Sequence, residues 1–267
     1  MKTNPVDKLS ADIVVTVLGS GTCAPSLARS SCSVLVETGG RKWLIDSGAG
    51  TLRRLLEAGT TIAELSCLLY SHLHPDHTSD LVPLLFATKY PDGITRREAL
   101  TIVAGQGFED FFHRLKGVYG HWIDLGSDML RIIEMSTAGG DHVRLAGVDL
   151  HTAPVEHSPQ SVAFRMTGPS GRKLVYSGDT DYSESLIELA RGADLLICES
   201  AFPEAQKVRG HLTPAMAGDI AARAGVRRLM LTHFYPACEQ ADIEGECRRT
   251  YGGPLVLAQD LMRLVLD

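Results

Sequence analysis

The chain has 267 residues, 44% of them hydrophobic and 22% charged, with a formal net charge of −6 at pH 7. That apolar fraction and mixed charge exclude a disordered or fibrous chain, and the length allows a substantial core without disulfide staples. The mild acidic balance also argues against a protein that holds nucleic acid through bulk charge.

Residues 1–7 lack the apolar run of a secretory signal, and no stretch approaches the roughly 18 apolar residues of a membrane span. Cys23, Cys32, Cys67, Cys198, Cys238 and Cys247 include no CxxC pair, so neither a structural zinc site nor disulfides are expected. The chain therefore reads as cytoplasmic. Along it, residues 13–18 form a β-branched strand ended by Gly19-Ser20-Gly21, and strands at 32–38 and 42–46 flank Gly39-Gly40, a hairpin signal. Leu52, Leu55 and Leu56 mark a helical face, 67–70 is a further strand, and 81–90 reads as a helix that tolerates Pro83 near its start. Phe108, Phe111, Phe112, Leu115 and Tyr119 fall at helical spacing and suit a core or dimer contact better than a base-stacking platform. Strands are expected near 100–104, 131–135, 141–153, 162–167 and 173–177. Helix 183–191, strand 194–198, helix 214–224, strand 228–232 and short strands at 255–257 and 261–266 follow. Two similar halves of strands punctuated by helices predict an α/β fold of two face-to-face sheets with helices outside, as one domain over residues 1–267.

Ser71-His72-Leu73-His74-Pro75-Asp76-His77 places four metal-ligand side chains directly after an apolar strand. In extended backbone His72 and His74 point to one side, while Asp76 and His77 fall where the chain turns into a helix. One ion would take the first pair and a neighbouring ion the second. Imidazole and carboxylate donors suit zinc, with manganese or iron as alternatives. The competing interpretation, a solvated histidine-rich loop, does not account for this spacing.

HxHxDH is the signature of the metallo-β-lactamase superfamily, which the chain resembles from residue 13 to 266. The runs Leu18-Gly19-Ser20-Gly21-Thr22, Arg29-Ser30-Ser31 and Leu44-Ile45-Asp46-Ser47-Gly48-Ala49-Gly50 are similar to ribonuclease Z and its relatives. So are Tyr176-Ser177-Gly178-Asp179-Thr180 and Leu231-Thr232-His233-Phe234. The resemblance implies a single-domain, four-layer αββα sandwich holding two divalent ions. It assigns His72, His74 and His157 to one ion, Asp76, His77 and His233 to the other, and Asp179 to both. It also implies an acid relay of Glu199 and His211, with Asp76 counted among the catalytic groups as well as the ligands. Asp46 resembles the carboxylate that orients a ligand histidine. His113, His121, His142 and His151 lie outside every matching motif and read as surface or structural residues.

Ribonuclease Z proper carries a tRNA-gripping arm between the positions matching His157 and Asp179, which here lie only 22 positions apart. That leaves room for a strand, a turn at Gly168-Pro169-Ser170-Gly171 and a second strand. The expected function is therefore a dinuclear phosphodiesterase on a small or single-stranded phosphodiester, a small molecule or short nucleotide. No membrane association and no strong nucleic-acid binding are expected, and a homodimer is allowed, since resembling proteins commonly dimerise. The alternatives are a ribonuclease Z-type tRNA 3′ endonuclease, a lactonase, β-lactamase or arylsulfatase of the same fold, and a non-catalytic metal-bound binding module.

Overall fold

The computed structural model describes residues 12–93 and 95–266; the segment inspected above for a secretory signal lies outside the described residues. The strands β1 (Ile13–Gly19), β2 (Ser33–Thr38) and β3 (Arg41–Ile45) form an antiparallel meander. To it β4 (Leu65–Tyr70), β5 (Leu100–Gly105) and β6 (Leu130–Met135) add in parallel. The connections carry α1 (Thr51–Glu57), α2 (Pro75–Thr78), α3 (Leu81–Lys89) and α4 (Phe108–Tyr119). Pro83 sits in the first turn of α3, where its missing N–H costs nothing.

The second sheet repeats the plan. The strands β7 (Asp141–Leu145), β8 (Val148–Pro154), β9 (Val162–Thr167) and β10 (Lys173–Tyr176) run antiparallel. Then β11 (Leu195–Glu199), β12 (Leu229–Thr232) and β13 (Leu255–Leu257) add in parallel through α5 (Glu184–Ala190), α6 (Pro214–Ala224) and α7 (Ile243–Arg248). Finally β14 (Arg263–Leu266) returns to pair with β1, giving two 7-stranded sheets.

Side-chain alternation builds the layers. Val34, Val36, Trp43, Ile45 and Leu69 pack with Phe164, Met166 and Leu174 of the second sheet. Their neighbours Leu35, Leu44, Leu68 and Tyr70 pack outward with Leu55, Leu84 and Phe108 of the covering helices. Strands covered on both faces read as continuous apolar runs, as 67–70 does. Phe108 and Phe112 are buried in this outer layer, so the aromatic spacing of α4 serves the core. No helix among the described residues is long and apolar enough to cross a membrane.

Two elements depart from the sequence expectation. The single strand expected over 141–153 is a hairpin, folded at Ala146 (φ 48°) and Gly147 (φ 82°), with Leu145 facing Val148. Two successive positive φ values make the type I′ turn that matches strand twist, and alanine at the first position conceals it in the sequence. Helix α7 has no counterpart among the expected elements; it starts where the Asp242 side chain accepts the Gly245 N–H at 2.9 Å. Replacing Ala146 by Asn, which tolerates the left-handed conformation, is expected to stabilise the fold by about 1 kcal/mol in denaturant titration. A lowered unfolding midpoint would contradict the turn assignment.

Candidate metal centre

The residues singled out in the sequence converge at one edge of the sandwich, beyond the carboxyl ends of the parallel strands, where open α/β sheets place their ligands. Strand β3 delivers Asp46, β4 runs into His72 and His74, and α2 carries Asp76 and His77. The connection after β8 supplies His157, β10 leads to Asp179, β11 ends in Glu199, the loop before α6 holds His211, and β12 leads to His233. Asp46 and His233 both bend off their strands in the left-handed region, at φ 56° and 61°. Such non-glycine positions cost about 1–3 kcal/mol and persist where surrounding contacts hold them. At Gly178 (φ 60°) a Cβ would lie 2.6 Å from Ser71 Cβ, so only glycine lets the Asp179 turn approach the first sheet.

Asp179 divides its carboxylate between two groups of imidazoles. Its Oδ1 lies 3.3 Å from both His77 Nε2 and His233 Nε2, and its Oδ2 lies 3.7 Å from His72 Nε2 and 3.9 Å from His157 Nε2. His74 Nδ1 stands 3.1 Å from His157 Nε2, and Asp76 Oδ2 stands 3.7 Å from His233 Nε2. Three sets follow, His72, His74, His157 with Asp179, then Asp76, His77 with His233, and also Asp179, His211 with His233, the ligand atoms within each lying within 4.8 Å of one another.

The donor chemistry fits divalent cations. His157 Nδ1 donates to Gly210 O at 2.8 Å and His77 Nδ1 donates to Asp46 Oδ2 at 2.8 Å, which leaves each Nε2 with its lone pair facing the cluster. The facing Nε2 atoms of His77 and His233 are 3.4 Å apart. Asp179 Oδ1 and His72 Nε2 are buried without a hydrogen-bond partner. Buried polar atoms are normally paired, and these orphaned lone pairs aim at shared space. The carboxylates also draw positive charge into the cluster, which a proton on His77 supplies and a cation would supply in its place. Burial works against a charge on His77, yet the carboxylates of Asp179 and Asp46 hold it well above its ordinary range. Burial alone would raise Asp179, yet His233 and His77 hold it well below the usual carboxylate range.

Behind the cluster, Asp46 ties the two sheets together. Its Oδ1 accepts Ser71 N (2.8 Å), and its Oδ2 accepts Ser71 Oγ (2.8 Å) and, from the opposite sheet, the Tyr176 hydroxyl (2.9 Å). Beside the cluster, His211 Nδ1 lies 3.0 Å from Glu199 Oε1 and 3.9 Å from Asp179 Oδ2. Glu199 is buried and also accepts Thr180 N and Leu212 N, so its position is fixed. Burial alone would lower His211, but the hydrogen bond and charge of Glu199 raise it above its ordinary range. A cavity of about 910 Å³ opens beside His157, lined also by Glu156, Asp181, Glu184, Arg209 and Gly210.

Paired sheets with histidines and aspartates gathered at their strand ends define a metal-dependent hydrolase fold. The chain belongs to the beta-lactamase superfamily: the model described as "Beta-lactamase superfamily domain" matches residues 41–234. An uncharacterized protein of Mycobacterium tuberculosis is 34% identical over 247 residues, spanning 90% of this chain and 88% of that protein. The Ribonuclease Z of Mycobacterium avium is 31% identical over 283 residues, spanning 96% and 99% respectively. The metallo-beta-lactamase fold protein YhfI from Bacillus subtilis superposes with a TM-score of 0.81 at 23% identity, covering 96% of this chain and 100% of that one.

Sequence reasoning misses Ser71, Tyr176 and the Gly210 carbonyl as supports of the cluster. Tyr176 ends an apolar strand within a run noted only for its resemblance; its signal is the adjoining Ser-Gly-Asp turn, which brings a tyrosine hydroxyl to the sheet edge. Tyr176→Phe is expected to weaken metal binding about tenfold, measured by competition with a chromogenic chelator. Unchanged affinity would mean that Tyr176 does not act on His77 through Asp46.

Proposed function

We propose that the chain is a dinuclear metal-dependent phosphodiesterase acting on a small or single-stranded phosphodiester. The observation that carries this reading is the His211–Glu199 pair, 3.0 Å apart, set 3.9 Å from Asp179 Oδ2. A proton donor held beside the cluster is what a departing alkoxide requires. In this reading His72, His74 and His157 hold one ion, Asp76, His77 and His233 the other, and Asp179 both, with zinc favoured over manganese or iron. When bound, the two ions supply activation of water at neutral pH and neutralise the nonbridging oxygens of the phosphate.

The side chains contribute position and protons. Glu199 holds the imidazole of His211 through Nδ1 and stabilises its charged form, so that Nε2 gives its proton to the leaving oxygen. Asp76, which is partly exposed, is assigned in this reading to take the proton of the attacking water. A small substrate is supported by the connection between β9 and β10, a turn over 168–171 with no inserted segment. A cytoplasmic setting is supported by six cysteines that are all free, five of them buried.

A second reading, a tRNA 3′ endonuclease, is favoured by the relative named Ribonuclease Z. Against it stand the short β9–β10 connection and the net charge of −6, which disfavour the many phosphate contacts that a folded RNA requires. Assays of metal-loaded protein on bis-p-nitrophenyl phosphate, cyclic nucleotides, precursor tRNA, p-nitrophenyl sulfate, a lactone and a chromogenic cephalosporin separate the readings. Turnover is expected on the small phosphodiesters. His211→Ala is expected to slow alkyl leaving groups about a hundredfold, far more than p-nitrophenolate, with metal content retained. Activity confined to the sulfate, lactone or cephalosporin would refute the proposal, and so would an equal effect of His211→Ala on good and poor leaving groups.

A further inference from the structure

Phe202 and Tyr235 are large side chains that belong to neither hydrophobic cluster of the fold. Their placement follows from strand pairing. Glu199 of β11 faces Thr232 of β12, and the pairing runs on through Ser200 N to Thr232 O (2.9 Å) and Tyr235 N to Ala201 O (3.2 Å). The two rings are thereby set side by side, stacked with centroids 4.4 Å apart and planes 19° from parallel. The Tyr235 hydroxyl is fixed by Cys23 Sγ at 3.2 Å, on the loop after β1.

The stack borders the groups that would carry the reaction. The His211 ring is centred 5.9 Å from Phe202 and 6.3 Å from Tyr235, and His233 is 6.1 Å from Tyr235. These contacts are edge-on, at 67°, 71° and 76°, so the aromatic faces do not cover the imidazoles but stand beside them. Both aromatic residues are half-buried. Stacked on each other and half-exposed, the two rings keep aromatic surface that the core does not cover.

We propose that the Phe202–Tyr235 stack determines specificity by receiving a planar ring carried by the leaving group. The proposal rests on the phosphodiesterase reading and sharpens it. The oxygen that takes the His211 proton belongs to the leaving group, so whatever that oxygen carries extends past the neighbouring aromatic pair. Phe202 has no polar atom with which to tell one ring from another. The stack therefore selects flat, aromatic leaving groups over aliphatic ones without reading base identity, as stacking surfaces do.

The test uses the metal-loaded full chain and three substrates: a dinucleoside monophosphate and two analogues, each lacking the base on one of its nucleosides. Chromatography of the products identifies the leaving nucleoside. Removing its base is expected to lower kcat/KM about tenfold or more, and removing the other base less than about twofold. Phe202→Leu and Tyr235→Leu are each expected to shrink the larger ratio. A readout independent of turnover is the quenching of 2-aminopurine riboside monophosphate fluorescence, expected with the wild-type chain and reduced in Phe202→Leu. Equal rates on all three substrates overturn the proposal, as does a base effect that survives both leucine variants. Failure on the dinucleotide beside active bis-p-nitrophenyl phosphate hydrolysis also overturns it. An idle bis-p-nitrophenyl phosphate control instead removes the phosphodiesterase reading on which it stands.

Discussion

Asp179 is a buried carboxylate that turns one oxygen to His77 and His233 and the other to His72 and His157. Removing such a charge from water is costly unless positive charge is held close on both sides. This one requirement organises the rest of the molecule. Histidines must arrive from the first sheet, at His72 and His77, and from the second, at His157 and His233. Neither sheet alone supplies both sets, and the cluster exists only where the two sheet edges meet.

That meeting is held by contacts across the sandwich. Asp46, at the end of a first-sheet strand, accepts the hydroxyl of Tyr176 from the second while also holding Ser71 and His77. Gly178 permits the close approach that brings Asp179 against Ser71. Each sheet is antiparallel in one half and parallel in the other, and the parallel halves end together. Sharp exits from those strands, at Asp46 and His233, aim side chains back toward the shared edge. The Glu199–His211 pair is anchored by the same logic, since Glu199 ends a parallel strand and accepts the backbone N–H of Thr180, next to Asp179.

What the sequence makes legible is what is local. β-branched runs and alternating apolar faces identify the strands, and His72, His74, Asp76 and His77 announce themselves because one strand end carries all four. The likeness to known motifs extends this to His157, Asp179, His233 and the Glu199–His211 pair, which the fold brings together. The hairpin at Ala146 is hidden because its conformation is imposed by strand pairing on a residue that does not ordinarily adopt it. The short α7 is hidden because six residues leave too brief a pattern to register. Tyr176 and the Phe202–Tyr235 stack escape for a different reason. Their roles depend on which strands lie side by side, a non-local fact that neither periodicity nor composition carries.

The central claim is that one carboxylate, Asp179, joins two metal ions into a single centre. X-ray absorption at the metal edge of the loaded protein, with the metal-to-protein ratio measured on the same sample, tests it directly. The account predicts two ions per chain and a metal–metal scattering path at about 3.5–4 Å, lost together with metal in Asp179→Ala. A single ion with no such path, or an undiminished pair in Asp179→Ala, would contradict it.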